Sequence, residues 1–374
     1  MAMKVAMLTV AHRHDDVRIY HKEARALAAA GWRVEILNPA YEGIGEDGIH
    51  FRRLLLPTGR TGRLCRGREV ALRAVLASKA HLCHIHDPEL LPLLGPLKRH
   101  GVATIYDAHE DFPRSVRTRD WIFSPLRGLA SGCAERLLEG CLRHADGVIA
   151  ATEPIARTLP CEHPVLVRNF VTARDCERYD TQRARREPTP GTLCYAGAIT
   201  ERRGIFRMLK LCAAANATLL LAGEFETPAL KKKLEGMPEY RCARYLGPLG
   251  REQIASLYAG VCGGLLLLEP NPAYLQSEPV KLFEYLCAGL PVVANDFPYW
   301  RELGEGGAID FIPPDDDEAA VAAIRRLLGS SKAQCAARER MAEMRKKFSF
   351  EQEARRLLAL YQKLEAGFYQ HSAD

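Results

Sequence analysis

Strand and helix signals alternate along this chain in two successive series, and this alternation constrains the fold more than any other feature. In the first series, apolar runs of strand length occupy 5–10, 34–37, 82–86, 103–107 and 147–151, with helical periodicity between them, as at 17–30. Such alternation predicts a parallel sheet that helices cover on both faces. The polar passage that follows is rich in Arg and Pro, and it predicts a linker at 174–190.

The pattern then restarts. Further apolar runs occupy 192–196, 217–222, 242–246, 263–268 and 291–294, with helical stretches that begin at 205, 228, 251 and 280. A chain of 374 residues also exceeds the size that one hydrophobic core usually serves. We therefore predict an α/β protein with two Rossmann-like domains, at 1–173 and 191–347, a linker at 174–190 and a terminal helical segment at 348–374.

The composition is that of a globular protein, with 47% hydrophobic and 26% charged residues. We see no charged-then-apolar leader and no apolar run long enough to span a bilayer, which predicts a cytoplasmic protein. The 12 cysteines are dispersed without any Cys-x-x-Cys pair. This spacing favours buried small hydrophobes over disulfides or structural zinc, so we expect neither a metal nor another cofactor.

The segment 277–294 combines a helix start, a helix end and a strand. Pro279 is tolerated in a first helical turn, and Gly289 suits the left-handed position at a helix end. Free N–H groups and the positive dipole end make such a helix start an anion site, and a Glu further along can reach a sugar hydroxyl. The segment predicts a nucleotide-sugar pocket, with an ordinary helix start as the alternative. Its donor-binding candidates are Ser277, Glu278, Lys281, Leu282 and Glu284.

A second donor-side candidate is the basic loop at 195–205. Gly197 lets the backbone approach a ligand closely, and Arg202 and Arg203 add positive charge before the next helix. A guanidinium can hold a diphosphate through two bonds and stabilise charge on a leaving group. The loop predicts a diphosphate contact, and a solvated basic turn is the alternative.

Polar residues also follow the strand at 82–86. His84, His86 and Asp87 offer three possible metal ligands, but no matching second cluster is evident. His86 and Asp87 at the carboxyl end of a strand are better explained as residues that line the acceptor side of a cleft.

Two other strands of the first series end in polar residues. His109 follows the strand at 103–107, and Asp16 and Arg18 follow the first strand. Asp16 and Arg18 are acceptor-side candidates, although capping of the next helix explains Asp16 equally well.

Together these segments resemble the retaining glycosyltransferases of family 4, in particular a bacterial branch that makes surface polysaccharides. The resemblance implies the GT-B fold, in which two domains face a cleft and a terminal helix crosses back to the first domain. It also implies that Glu284 holds the ribose hydroxyls and that His109 faces the donor sugar, which favours a catalytic role for His109 over a core position. The chain departs from the family pattern at Gln276, where members have a Glu that contacts the donor sugar, and at Ala198, where they have an Arg. Arg203 stands at the family's Lys position.

The resemblance implies a retaining transfer from a nucleotide diphosphate sugar, a UDP-sugar by preference, to a hydroxyl of a glycan or lipid-linked acceptor. Two alternatives remain open, because Gln276 and Ala198 depart from the pattern. One is a protein that binds a nucleotide sugar without turnover, and the other is a nucleotide-sugar epimerase of the same fold.

Basic residues cluster in two places in the first half of the chain. Seven arginines but only one acid, Glu69, lie from Arg52 to Arg73, and Arg117, Arg119 and Arg127 flank the apolar run Trp121–Phe123. These clusters suit an anionic membrane surface, with a solvated protein surface as the alternative. No stacking aromatics are interleaved with the first cluster, so we expect no nucleic-acid partner.

Overall fold

The computed structural model describes residues 2–57, 66–117, 122–329 and 331–371. The chain divides into two compact units. Unit 1 comprises Met1–Asn169 together with Glu351–Asp374, and unit 2 comprises Phe170–Phe350.

Unit 1 contains a sheet of eight strands whose order is β3-β4-β2-β1-β5-β6-β7-β8. All neighbouring strands are parallel except β3 and β4. The strands are β1 (Lys4–Leu8), β2 (Arg33–Asn38), β3 (Gly43–Ile44), β4 (His50–Arg53), β5 (Leu82–Ile85), β6 (Ala103–Ala108), β7 (Gly147–Ala150) and β8 (Val165–Leu166). The helices are α1 (Arg25–Ala29), α2 (Arg68–Ser78), α3 (Leu94–Arg99), α4 (Phe112–Arg117), α5 (Arg127–Leu142) and α6 (Glu153–Thr158), with a π-helical turn at Ile19–Ala24 and 3₁₀ turns at Pro88–Leu93 and Ser124–Leu126.

Unit 2 contains a fully parallel sheet of six strands whose order is β11-β10-β9-β12-β13-β14. The strands are β9 (Thr192–Ala196), β10 (Thr218–Ala222), β11 (Ala243–Gly247), β12 (Gly263–Leu266), β13 (Val292–Asn295) and β14 (Ile309–Ile312). The helices are α7 (Ala173–Arg183), α8 (Ile205–Ala215), α9 (Pro228–Glu235), α10 (Arg251–Ala259), α11 (Pro272–Leu275), α12 (Val280–Cys287), α13 (Pro298–Leu303), α14 (Asp317–Gly329) and α15 (Ser331–Lys347), with 3₁₀ turns at Glu201–Arg203 and Pro238–Cys242.

The strand order reverses direction once in each sheet. In unit 1 the chain moves outward from β1 on one side and from β5 on the other, and in unit 2 the same happens at β9 and β12. Ligands of such sheets bind at the carboxyl ends of the strands beside this reversal. The central strands are buried on both faces, which explains why they appear in the sequence as continuous apolar runs.

The predicted linker differs from the structure. Most of 174–190 belongs to helix α7 of unit 2, whose first turn is capped by Thr172: its Oγ1 accepts a bond from the N–H of Asp175 at 3.1 Å. Within α7, the Arg178 guanidinium pairs with Asp175 at 3.0 Å. A cap and ion pairs of this kind stabilise a helix that polar composition alone does not indicate.

The prediction that the terminal helix crosses back is confirmed. Helix α16 (Phe350–His371) starts in unit 2, and from Glu351 onward its residues belong to unit 1. There the buried Tyr361 hydroxyl lies 2.8 Å from Nδ1 of His84, and its ring packs edge-on against Trp32. Neither α16 nor any other helix in the described part of the chain is long and apolar enough to cross a membrane.

Two glycines of unit 2 have the same left-handed backbone but different surroundings. Gly204 has φ of +74°, and a Cβ there would lie 1.8 Å from the carbonyl oxygen of Leu267. Gly247 has φ of +76°, and nothing lies within 4 Å of a Cβ at that position. Only Gly204 therefore combines a conformational requirement with a close backbone approach.

We predict that Gly204→Ala destabilises the protein more than the matched control Gly247→Ala. Both variants incur the left-handed strain of a non-glycine residue, about 1–2 kcal/mol. Overlap with Leu267 adds about 1–3 kcal/mol at Gly204 only. Denaturant unfolding of both variants measures the difference, and equal losses would contradict the packing described here.

Candidate active site

The loop that follows β1 is held in place by one buried carboxylate, that of Asp87. Asp87 Oδ2 accepts bonds from Thr9 Oγ1 at 2.9 Å, from the Val10 N–H at 2.6 Å and from the Ala11 N–H at 3.3 Å. Its Oδ1 lies 2.9 Å from Nδ1 of His12. Burial opposes the charge of Asp87, but these bonds outweigh burial and lower its pKa. Asp87 is thus an ionised anchor for the loop that carries His12.

A second buried carboxylate lies at the end of β6. The guanidinium of Arg18 donates two bonds of 2.8 Å to Asp107, and it donates a third bond of 2.7 Å to the Val167 carbonyl. Asp107 Oδ2 also lies 2.8 Å from Nε2 of His109 and 3.4 Å from Nδ1 of His86. Asp107 therefore joins the loop after β1 to residues that follow β5 and β6.

The pKa values of the two carboxyl groups beside Arg18, Asp107 and Glu23, are shifted in opposite directions. Burial opposes the charge of Asp107, but Arg18 and the histidines outweigh it, so the pKa of Asp107 lies well below its ordinary value. For Glu23, whose Oε1 lies 3.0 Å from Arg18, burial and the neighbouring Asp107 prevail, and its pKa lies well above its ordinary value. Burial also lowers the pKa of His86 to about 4. Arg18 thus favours the ionised form of Asp107, whereas burial favours the neutral forms of Glu23 and His86.

This network also contains a group with the donor set of a metal site. Among the described residues, ligand atoms of Glu23, His84, His86 and Asp107 lie within 4.8 Å of one another. The guanidinium of Arg18 already contacts both carboxyl groups at 2.8 to 3.0 Å. A divalent cation would lie against this fixed positive charge. We interpret the group as an internal hydrogen-bond network.

In unit 2, the segment before α12 is fixed by side-chain bonds. Ser277 Oγ donates to the Tyr274 carbonyl at 3.0 Å, and the Ser277 carbonyl accepts a bond of 2.9 Å from Trp300. Glu278 accepts a bond of 2.6 Å from the Tyr299 hydroxyl. Helix α12 begins at Val280 without a side-chain cap: the Leu282 N–H donates to the Pro279 carbonyl at 2.9 Å, and no side chain caps the first turn. Pro279 is the N-cap, one position before the first turn where we predicted it.

Glu284 lies on α12 with one carboxylate oxygen engaged. Its Oε2 accepts a bond of 2.6 Å from the buried Tyr258 hydroxyl and lies 2.7 Å from Lys281 Nζ. Among the described residues, both of its side-chain contacts are to Oε2, so Oε1 is available to a ligand. Lys281 compensates the charge of a carboxylate that is only 16% exposed.

Arg203 lies in the loop after β9 and contacts the segment before α12. Burial opposes the charge of its guanidinium, but the neighbouring Tyr195 and Tyr274 outweigh burial and raise the pKa of Arg203. A Cβ on Gly197 would lie 3.5 Å from Arg203 Nη1, so the glycine leaves room beside the guanidinium. The carbonyl of Arg202 accepts a bond of 3.0 Å from the N–H of Glu269, which follows β12. The loop after β9 and the segment after β12 therefore form one site at the carboxyl edge of the sheet.

Comparison with known proteins identifies both halves of the chain. Residues 18–168 match the family model described as a glycosyl transferase 4-like domain, and residues 191–330 match that of the glycosyl transferases group 1. The chain carries two glycosyltransferase domains. No curated protein matches the sequence of this glycosyltransferase at a significant level.

Solved structures show the same fold. Sucrose-phosphate synthase from Thermosynechococcus elongatus is 18% identical with a TM-score of 0.77, and the match covers 98% of this chain and 100% of that one. The Anabaena protein HepE in complex with UDP and glucose is 15% identical with a TM-score of 0.71, over 96% and 100% of the two chains. Trehalose 6-phosphate synthase from Burkholderia multivorans is 13% identical with a TM-score of 0.67, over 99% and 98%. The predicted GT-B fold is confirmed.

The glycosyltransferase places several predicted acceptor-side residues in its interior. Arg18, His86 and Asp87 are at most 4% exposed, and they bond protein groups. Asp16 Oδ1 accepts bonds from the Arg18 and Ile19 N–H groups at 2.8 and 2.9 Å, so the structure shows the capping role. These residues were predicted to line a surface because they follow strands, but such positions also suit internal anchors.

Sequence analysis missed His12, Asp107, Glu23 and Tyr258. His12 and Glu23 carried no motif, and the apolar character of the surrounding strand concealed Asp107 as a site residue. Tyr258 lies in α10, and its partner Glu284 is 26 positions further along the chain. One usable signal was that Asp107 and His109 are separated by one residue at a strand end, a spacing that allows both side chains to meet.

We predict that neutralising the two carboxyl groups of the Arg18 network has unequal effects on stability. Asp107→Asn leaves the buried Arg18 without its charge partner and should cost about 3–5 kcal/mol. Glu23→Gln replaces a carboxyl group whose neutral form is favoured by burial, and should cost less than about 1.5 kcal/mol. Denaturant unfolding at pH 7 tests this comparison, and a larger loss in Glu23→Gln would refute the assigned protonation states.

Proposed function

We propose that this glycosyltransferase transfers a hexose, with retention of anomeric configuration, from a UDP-sugar to a hydroxyl of a glycan or lipid-linked acceptor. One observation carries the proposal: the Arg202 carbonyl after β9 accepts a bond of 3.0 Å from the Glu269 N–H after β12, which joins the Arg203 loop to the segment that leads into the start of α12 and its carboxylate Glu284. This brings a diphosphate-binding guanidinium, an anion-binding helix start and a carboxylate into one site. That HepE is described with UDP and glucose supports a uridine donor.

The proposed roles follow from charge and reach. Arg203 and the start of α12 stabilise the departing diphosphate, whose negative charge grows in the transition state. Oε1 of Glu284 accepts bonds from the ribose hydroxyls, while Tyr258 and Lys281 hold Oε2. His109 contacts the sugar during transfer. The remaining donor contacts that we propose are Gly197, Arg202, Gln276, Ser277, Glu278, Lys281 and Leu282, without a metal ion or other cofactor.

The departures at Gln276 and Ala198 favour one rival, a protein that binds a nucleotide sugar but does not turn it over. An epimerase would convert the sugar of a nucleotide sugar without needing an acceptor. Incubation with several nucleotide sugars, with product analysis, separates the three. Transfer or hydrolysis supports the transferase, an altered free or nucleotide-bound sugar supports the epimerase, and binding without any turnover supports the rival.

We predict different kinetic effects for three site variants. Arg203→Lys should lower kcat by about 10²–10³-fold with little change in UDP affinity, because the guanidinium acts on charge that develops in the transition state. Glu284→Gln should weaken UDP binding by about tenfold or more, since it removes a charged hydrogen-bond acceptor. His109→Ala should cut kcat while UDP affinity stays intact.

UDP titration and steady-state kinetics measure these effects, and Arg326→Lys is a matched control because its exposed guanidinium pairs with Asp310 in the same unit. Full turnover in Arg203→Lys or His109→Ala would remove the catalytic role assigned to that residue.

We also propose that the enzyme is cytoplasmic and binds peripherally to the inner face of the membrane. In unit 1, Phe123, Leu126 and Leu129 are 72%, 52% and 70% exposed. Arg127 donates to the Ile122 carbonyl at 2.9 Å, and Arg117 donates to Ser131 at 3.0 Å and lies 3.9 Å from Glu135. Exposed apolar side chains flanked by cations suit an anionic bilayer surface. Arg119 and Trp121, which the sequence placed in this cluster, lie outside the described residues.

The arginine run 52–73 supports membrane binding less well. Arg52 pairs with Glu35 at 2.7 Å, Arg73 pairs with Glu69, and Arg68 donates to the Glu89 carbonyl at 2.9 Å. Arg60 and Arg63 lie outside the described residues. The membrane proposal therefore rests on the cluster around Phe123.

We predict that the protein co-sediments with anionic vesicles and not with neutral ones, and that salt weakens the binding because it screens surface charge. The double variant Phe123→Ser, Leu129→Ser should lose most of this binding, whereas Ile44→Ser, at a single exposed apolar residue in the same unit, should keep it. Protein that stays in the supernatant under every condition would show that the acceptor is reached without a lipid surface.

A further inference from the structure

Two histidines of unit 1 share an arrangement that the transferase proposal does not use. Nδ1 of His12 lies 2.9 Å from Asp87, and Nε2 of His109 lies 2.8 Å from Asp107. The histidine side chains are 29% and 19% exposed, whereas the aspartates are 2% and 0% exposed. Each histidine ring thus contacts a buried carboxylate on one side and is partly exposed to solvent.

Both carboxylates are fixed in place and ionised. Asp87 is held by the loop after β1, and Asp107 is held by the two bonds from Arg18. An ionised carboxylate only accepts hydrogen bonds, so the bonded ring nitrogens must carry the protons. In their neutral forms, His12 is therefore protonated at Nδ1 and His109 at Nε2. The opposite nitrogens, Nε2 of His12 and Nδ1 of His109, have no hydrogen-bond partner among the described residues.

The two rings are neighbours at the expected ligand edge. Their centroids are 5.0 Å apart in an edge-on contact. His12 follows β1 and His109 follows β6, and β5 lies between these strands in the sheet. This is the carboxyl edge beside the reversal of strand order, where ligands of such sheets bind.

We propose that His12 is a further substrate-contacting residue, which accepts a hydrogen bond from the attacking hydroxyl at Nε2, and that Asp87 and Asp107 are positioning residues for His12 and His109. The inference rests on the proposed function, which supplies the hydroxyl. It adds a residue that the sequence motifs do not contain, in the place that His86 was predicted to occupy.

The charges near His12 favour a hydroxyl over an anion. Asp87 bonds the ring, and the charges of Asp16 and Asp107 also act on it, which disfavours a phosphate or carboxylate ligand at this ring. A neutral hydroxyl has no such repulsion, and a bare ring nitrogen is an acceptor that matches its proton.

The tautomers can be measured without any substrate. In ¹⁵N-histidine-labelled wild-type protein at pH 9, long-range ¹H–¹⁵N correlation spectra should show His12 protonated at Nδ1 and His109 at Nε2. Signals are assigned from His12→Gln and His109→Gln variants. Opposite tautomers in the two rings support the inference, and a His12 ring protonated at Nε2 overturns it, whether or not the protein turns over a sugar donor.

The kinetic test uses hydrolysis of UDP-glucose, in which water is the attacking hydroxyl. His12→Phe keeps the ring contact with His109 but removes both nitrogens, and should lower kcat about 10- to 100-fold with KM for UDP-glucose within about twofold. His12→Gln places an amide oxygen near the Nε2 position and should restore part of kcat. Exposed His163 provides the control His163→Phe, which should leave kcat unchanged.

Two outcomes of this assay distinguish failure of the proposed function from failure of the role of His12. No hydrolysis or transfer by wild-type protein with any nucleotide sugar would count against the proposed function, and the tautomer measurement would then decide the inference alone. Full kcat in His12→Phe, with wild-type turnover present, would overturn the role of His12 and leave the transferase intact.

The pH dependence gives a readout that a purely structural role would not change. Burial acts to lower the pKa of His12, but the bond to Asp87 and the charges of Asp87, Asp16 and Asp107 outweigh it and raise the pKa above 6.5. Below that raised pKa, Nε2 is protonated and cannot accept the hydroxyl, so kcat should fall as pH falls through it. Asp87→Asn removes the nearest charge and should move this limb to lower pH. An unchanged limb in a folded Asp87→Asn protein, or a wild-type His12 pKa below 6.5 by NMR, would contradict the assignment.

Discussion

The buried ion pair between Arg18 and Asp107 is the interaction on which the first unit depends. Arg18 comes from the loop after β1, Asp107 ends β6, and the same guanidinium reaches the Val167 carbonyl after β8. Three segments that are distant in sequence therefore meet at one cation. Charges removed from water require partners of this quality, because an unpaired buried charge is far more costly than the pair is stabilising. The orientation of His109 follows from this pair, since Asp107 holds one of its ring nitrogens.

In the second unit, tyrosines are the partners of charged groups that lie near the protein interior. In the proposed donor site, Arg203 and Glu284 lie close to the protein interior, where each charged group needs partners. Tyr195 and Tyr274 favour the charged form of the Arg203 guanidinium, and Tyr258 with Lys281 bonds one oxygen of the Glu284 carboxylate. Each charged group is thus fixed on one side by protein. Preorganised charges of this kind act on a ligand without first having to reorient.

Sequence reasoning predicted the two sheets and the terminal helix because these depend on local patterns. Continuous apolar runs indicate buried parallel strands. Sequence reasoning could not find His12. The role of His12 depends on Asp87, which is 75 positions away in the sequence and lies beside His12 only in the folded sheet. The same limit applies to Arg18, whose partner comes from β6. The predicted linker was wrong for most of its length because capping by Thr172 and the Asp175–Arg178 pair outweighed its polar composition.

Backbone hydrogen exchange with and without UDP tests the donor site most directly. The account predicts that UDP slows exchange at 197–205 and 277–284, where the Arg203 loop and the start of α12 lie. It predicts no change at the start of α14, where Asp315–Asp317 form an acidic cluster that caps the helix: the carboxylate of Asp316 accepts a bond of 2.8 Å from the Ala319 N–H. Protection confined to that acidic cluster, or to unit 1, would contradict the assignment of the nucleotide to the second unit.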